Sequence, residues 1–152
     1  MNPDEAFFIV LTSNSSKTEF TRKTTCAFSS HSPAAINFEG RWEVCLWSLS
    51  ATSKIVQDNV LNAPPGSMLV YTDIVTDTVI KNANATLVAV LPLPAKNAPV
   101  KFTPAQLAYH RVRVQHLTNI SIKLADLNCK DIEFDGDEPI VLIELHFRRS
   151  PL

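Results

Sequence analysis

Apolar residues in this chain recur at every second position, in short β-branched or aromatic runs, and seldom at helical spacing. Successive side chains of a strand point to opposite faces of its sheet, so this period sorts residues into an inner and an outer set. Two segments carry it best. Between Arg41 and Ser50, Trp42, Val44 and Leu46 fall on one face, and Arg41, Glu43, Cys45, Trp47 and Leu49 on the other. The second face begins charged and ends apolar. That predicts a sandwich strand whose outer side is covered toward its far end, by a loop or by another subunit. In the C-terminal segment, Val141, Ile143, Leu145 and Phe147 alternate with Leu142, Glu144, His146 and Arg148.

The remaining apolar clusters read the same way. Phe7–Thr12 is a first strand, ended by Ser13, Asn14, Ser15 and Ser16, and Thr24–Ser29 a second, with Cys26 and Phe28 on one face. Ser32-Pro33 predicts a turn, after which Ile36–Phe38 leads through Gly40 into the Trp42 strand. Ser53–Val60 reads as a loop or a short strand, and Ala63-Pro64-Pro65-Gly66 is a break. Met68–Val75, Thr86–Leu91, His110–Leu117 and Ile120–Leu124 are further strands. Pro104–Leu107 predicts one helical turn capped by Thr103. Ile132 and Phe134 lead into a hairpin turn at Asp135-Gly136.

About eight strands in 152 residues predict an all-β fold. The expected architecture is one antiparallel β-sandwich domain over residues 1–152, of Greek-key or jelly-roll type. A chain of this length buries roughly 70% of the surface its unfolded form exposes. No Cys…Trp…Cys spacing of the immunoglobulin kind occurs.

A formal net charge of −1 and an acidic start at Asp4-Glu5 argue against direct nucleic-acid binding, which draws on a basic stripe or arm. No run approaches the roughly 20 apolar residues of a membrane-spanning helix. Ala6–Leu11 is short for a secretory signal and has acids ahead of it. Cys26, Cys45 and Cys129 are odd in number and widely spaced, which predicts reduced thiols. The glycosylation-type triplets at Asn14, Asn84 and Asn119 are then read as chance.

Catalytic signals are weak throughout. Asp131, Glu133 and Asp135, followed by Gly136, match the first half of a calcium loop, but Leu142 stands where the bidentate Glu belongs. A solvated acidic hairpin is the expectation for Asp131–Asp137. His31, His110, His116 and His146 lack metal-ligand spacing, and His110 and His146 fall on the less apolar faces of their strands. No serine lies in a G-x-S-x-G elbow, and the three glycines form no phosphate cradle. The expectation is no enzyme, no cofactor and no metal. Phe7, Phe8, Trp42, Trp47, Tyr71 and Phe147 are read as mostly core, with Trp47 the aromatic best suited to an interface. Arg111 and Arg113, two apart on one strand face, and Arg148 and Arg149 near the C-terminus read either as solvated charges or as partners at a subunit contact. Candidate interface residues are therefore Trp47, Arg111, Arg113, Arg148 and Arg149.

Four segments in order, Phe8-Ile9-Val10-Leu11-Thr12-Ser13-Asn14-Ser15-Ser16, Gly40-Arg41-Trp42-Glu43-Val44-Cys45-Leu46, Val70-Tyr71-Thr72-Asp73-Ile74-Val75 and Leu145-His146-Phe147-Arg148-Arg149, together resemble the minor capsid, or penton, protein of Polinton/Maverick elements and adintoviruses. The chain departs from that pattern at Cys45, where the family carries Gly, and over Thr76–Leu87. The resemblance implies a single jelly roll that forms a homopentamer at the fivefold vertices of an icosahedral virion, beside a double-jelly-roll major capsid protein. The competing expectation is a jelly-roll binding module of the lectin or ligand-recognition kind.

Overall fold

In the computed structural model, the strictly alternating C-terminal segment forms one unbroken strand. The structure describes residues 6–13, 27–55, 67–75, 78–80, 83–92, 100–104, 106–126, 132, 134 and 140–150. Eleven strands run through them: β1 (Ala6–Thr12), β2 (Ala27–Asn37), β3 (Trp42–Ala51), β4 (Ser67–Thr72), β5 (Thr78–Ile80), β6 (Ala83–Ala85), β7 (Leu87–Pro92), β8 (Lys101–Phe102), β9 (His110–Arg111), β10 (His116–Ala125) and β11 (Val141–Arg149). No helix occurs among the described residues, so none there is long and apolar enough to cross a membrane.

Nine of these strands form two antiparallel sheets, and β5 and β6 pair separately as a two-stranded one. One has the order β1-β11-β3-β8, with β9 also paired to β3; the other has the order β2-β10-β4-β7. β8 and β9 occupy opposite ends of the same edge of β3, pairing at Leu49–Phe102 and Val44–His110, so each sheet has four lanes. Successive strands alternate between the sheets except at β8 and β9, which share one lane, and at β4 and β7, which pair within one sheet and are joined through the β5–β6 hairpin.

Alternation places the core between the sheets. Val141, Ile143, Leu145 and Phe147 of β11 are completely buried and meet Ile122 and Leu124 of β10 and Met68 and Val70 of β4 in one cluster. At one end the filling is aromatic. Phe7 stacks on Phe147 with ring centroids 5.0 Å apart, and Phe38 and Trp42 close the group, each 5.5 Å from a neighbouring ring. Gly40, at φ 83°, turns the chain there and presents the Glu39 carbonyl. That oxygen accepts from Trp42 Nε1 at 3.1 Å and Arg149 at 2.6 Å. An L side chain is disfavoured at such a φ, hence the glycine.

Several expectations are corrected. β2 runs through Ser32-Pro33 instead of turning there, because it is an edge strand and its register against β10 slips between His31 and Ile36. A bulged edge is where a sheet tolerates Pro. His110–Leu117 is not one strand: β9 ends at Arg111, Val112 bridges to Val75, and β10 begins at His116, so the chain changes sheets within the alternating run. Residues 103, 104 and 106–109 form no helical turn. The Asp131–Asp137 hairpin lies outside the described residues apart from Ile132, whose N–H donates to the Leu124 carbonyl, and Phe134, which bridges to Ile55. Cys26 also lies outside them.

Candidate interaction surface

The outer face of the five-stranded sheet gathers most of the side chains that the core leaves over. Register sets it out in rows across β1, β11 and β3: Ala6–Arg148–Glu43, Phe8–His146–Cys45, Val10–Glu144–Ser48 and Thr12–Leu142–Ser50. Arg111 of β9 extends the first row beside Glu43.

Trp47 has no partner in these rows. Ser48 pairs with Glu144 and Leu46 with Leu145, so Trp47 is the extra residue of a β-bulge. A bulge of one residue reverses the alternation beyond it. Leu49, expected on the outer face, therefore points inward and is completely buried opposite Ile143. The bulge leaves Trp47 half-buried on the outer face. There Phe8 meets it edge-on at 5.1 Å and His146 lies 5.1 Å away. Its cover comes from neighbouring strands of the sheet.

Phe8, expected in the core, is 50% exposed. β1 is an edge strand with an unbroken apolar run from Ala6 to Leu11, and only alternate residues reach inward. Phe7 takes the core side, while Phe8 and Val10 (57% exposed) are left outside; Leu142 beside them is 36% exposed. These form an apolar strip around the Glu144 carboxylate, for which no cationic partner occurs among the described residues. The signal in the sequence was that unbroken run: an edge strand apolar on both faces has one face unaccounted for.

Above the strip sits a polar relay. Tyr109 folds over the sheet so that its hydroxyl lies 2.7 Å from His146 Nδ1 and beside the Cys45 thiol. The tautomer sets the direction of this bond: the Tyr109 O–H donates to an Nε2–H imidazole, and the phenol oxygen accepts from an Nδ1–H one. Burial pushes the Cys45 thiol up, opposed by the Tyr109 hydrogen bond and by Arg148. Burial also raises the Tyr109 phenol. His146 is held below the usual imidazole range by burial and then by the positive charge of Arg148. All three groups thus stay uncharged at neutral pH. A buried, protonated thiol is a poor nucleophile.

The candidate arginines separate. Arg148 places its Cζ over the Tyr109 ring, 3.4 Å from its centre, and donates through Nε to Glu43 at 2.9 Å. Arg149 points to the other side of β11, ties down the Glu39 carbonyl and stands 6.0 Å from the Trp42 ring. Arg111 is exposed beside Glu43, whereas Arg113 donates to the Asp73 carbonyl at 2.6 Å, in the turn after β4 of the other sheet. Arg111 and Arg113 therefore serve different sheets. His110 likewise turns inward opposite Val44, with its imidazole bonded to the Val88 backbone and its pKa lowered by burial. Among the described residues no group of three or more His, Cys, Asp or Glu side chains is placed to hold a metal ion.

Two four-lane antiparallel sheets, entered alternately by successive strands, define a single jelly roll. The crystal structure of the selenomethionine-labelled mavirus penton protein has a similar fold, with a TM-score of 0.63 over 96% of this chain and 100% of that chain, at 6% sequence identity. At that identity the likeness establishes the fold. No family profile matches the chain, and no curated protein matches it in sequence.

Proposed function

We propose that this protein is a non-enzymatic structural component of a virion: a penton-like single jelly roll that forms homopentamers and seals the fivefold vertices of an icosahedral capsid. Its partners are then four further copies of itself and, around the ring, a double-jelly-roll major capsid protein. The observation that carries the reading is the end-to-end correspondence with a penton protein, in which neither chain has a large segment left over. A second feature supports it. A single jelly roll has room in its core for one face of each sheet, yet Phe8, Val10 and Leu142 extend the apolar surface to an outer face.

The mechanism is geometric. A ring closes when each subunit offers one flank to the next through a head-to-tail contact and the rotation between copies divides a full turn. In this reading Trp47, with Phe8 and Val10 beside it, is drawn out of water at that contact, while Arg111 and Arg148 line its polar rim. Native mass spectrometry of the purified protein, with negative-stain imaging, tests the proposal. A discrete five-membered ring is expected; monomers at every concentration, with and without a capsid partner, would refute it.

The binding-module alternative draws on the same aromatic residues. Phe8 and Trp47 stand edge to face at 85°, closing against each other instead of lining a slot between parallel rings. That favours a flat protein contact over a ligand groove.

A further inference from the structure

Among the described residues the two sheets end in four edge lanes, and three of these are guarded. β2 carries Pro33 and loses register with β10 around it. β7 ends at Pro92 and bulges at Val88, which falls between Leu87 opposite Tyr71 and Ala89 opposite Val70. β8 and β9 are two residues long and carry Lys101 and Arg111. Short strands, proline, bulges and charges all stop an edge from pairing further. β1 has none of them. Ala6–Thr12 holds no proline, glycine or charged residue, and its register against β11 is unbroken from end to end. It is also incompletely covered on both faces: Phe7 and Ile9 turn to the core but stay half-buried at its margin, and Phe8 and Val10 are exposed on the outer side.

We infer that the edge of β1 accepts an extended strand from a different polypeptide, apolar on both faces and with a lysine or arginine opposite Val10. An unguarded edge recognises extended backbone, and the side chains beside it set the sequence. A charge opposite Phe7 or Ile9 would be laid at the margin of the core, where it is costly. On the outer side Glu144 shares the row of Val10, is half-buried, and has no cationic partner among the described residues. A residue opposite Val10 stands two strand spacings from it, about 10 Å, within reach of a long basic side chain. Arg148 and Arg111 lie two rows away, with Glu43 between them and bonded to Arg148. A second copy fits poorly. Its β2, β7, β8 and β9 edges are guarded, and β1 against β1 brings no cation to Glu144. Such a pair also closes about a twofold axis and builds no five-membered ring. That last step rests on the assembly reading above; the edge itself does not. An added strand lies beside the Phe8–Val10 strip and leaves its outer face to the subunit contact.

Two blocked peptides of alternating threonine and valine, one with a central lysine and one with a central glutamate, test this against the dilute wild-type protein. Hydrogen exchange is read by NMR at single β1 amides. Those pointing away from β11 are expected to exchange fast in the free protein and about tenfold or more slower with the lysine peptide bound. The lysine peptide is expected to bind about tenfold more tightly than the glutamate peptide. Glu144→Gln is expected to erase that preference and keep the edge protection. The lysine peptide N-methylated throughout has no backbone donors and is expected not to bind. Outward β1 amides that are already slow in the dilute free protein, or that both peptides leave fast, overturn the edge assignment; pentamers that form all the same leave the assembly reading intact. A methylated peptide that binds as well overturns strand pairing, and a lysine preference that survives Glu144→Gln overturns the charge match. Protection of β1 that appears only as the protein dimerises overturns the choice of partner together with the assembly reading.

Discussion

Phe147 and Phe8 are the same residue type on the two faces of one sheet, and truncating each separates folding from assembly. Phe147 is completely buried, with Phe7 stacked at 5.0 Å and Phe38 at 5.6 Å. Phe147→Ala removes that contact area and leaves a cavity that two rings and a tryptophan fill poorly, at about 3–5 kcal/mol. Phe8 keeps half its surface in water. Phe8→Ala forfeits about 1 kcal/mol of burial and part of the roughly 0.5–1.5 kcal/mol of its edge contact with Trp47. The assay is urea unfolding at a concentration low enough to keep the chain monomeric, because assembly adds its own stability. With a slope of about 2 kcal/mol/M, the midpoint falls by about 2 M for Phe147→Ala and by about 0.5–1 M for Phe8→Ala. At high concentration the order reverses for the oligomer: Phe8→Ala loses assembly while remaining folded. Equal shifts in the monomer, or a Phe147→Ala shift below about 0.5 M, would refute this division into inner and outer faces.

Acid should destabilise the fold. His110 and His146 are both held below the usual imidazole range, so the unfolded chain binds protons first as pH drops. Their contribution is complete above an unfolded pKa of about 6.5 and is lost as pH falls through the lower folded values. Melting temperature is expected to decline between pH 7.5 and 5, less steeply in His146→Phe; a flat profile would contradict the burial of both rings. Gly40→Ala forces an L side chain into φ 83° with its Cβ 3.4 Å from the Arg149 guanidinium. A cost of about 1–2 kcal/mol follows, lowering the melting temperature by about 2–4 °C per kcal/mol. An unchanged melting temperature would contradict the strained turn.

The alternating framework was legible wherever one strand keeps one register. Val141 to Phe147 reads in the sequence as it lies in the sandwich, because period two survives along the whole of β11. The fold class followed from strands of this kind, and the comparison with a solved penton structure agrees. What was hidden depends on register with a distant partner. The bulge at Trp47 is defined by β11, nearly a hundred residues away in sequence, and nothing local announces that Leu49 changes face. Pro33 reads as a turn until β2 is known to be an edge. Arg111 and Arg113 share a face on paper, but the chain crosses between sheets at Val112, the one residue between them. In the candidate surface, Trp47 was visible as an aromatic on an outer position. Tyr109 was not, because it arrives from a connection with no periodicity, and Phe8 was lost in an apolar run that looked buried on both sides.

The mass of the native particle bears most directly on the proposal that this jelly roll is a vertex subunit. Five chains of 16.8 kDa give about 84 kDa. Native mass spectrometry of the wild-type protein is expected to show that species as the dominant one at micromolar concentration, dissociating to monomer on dilution or with Phe8→Ala. A single 16.8 kDa species at all concentrations, or a dimer or trimer of fixed mass, would contradict it.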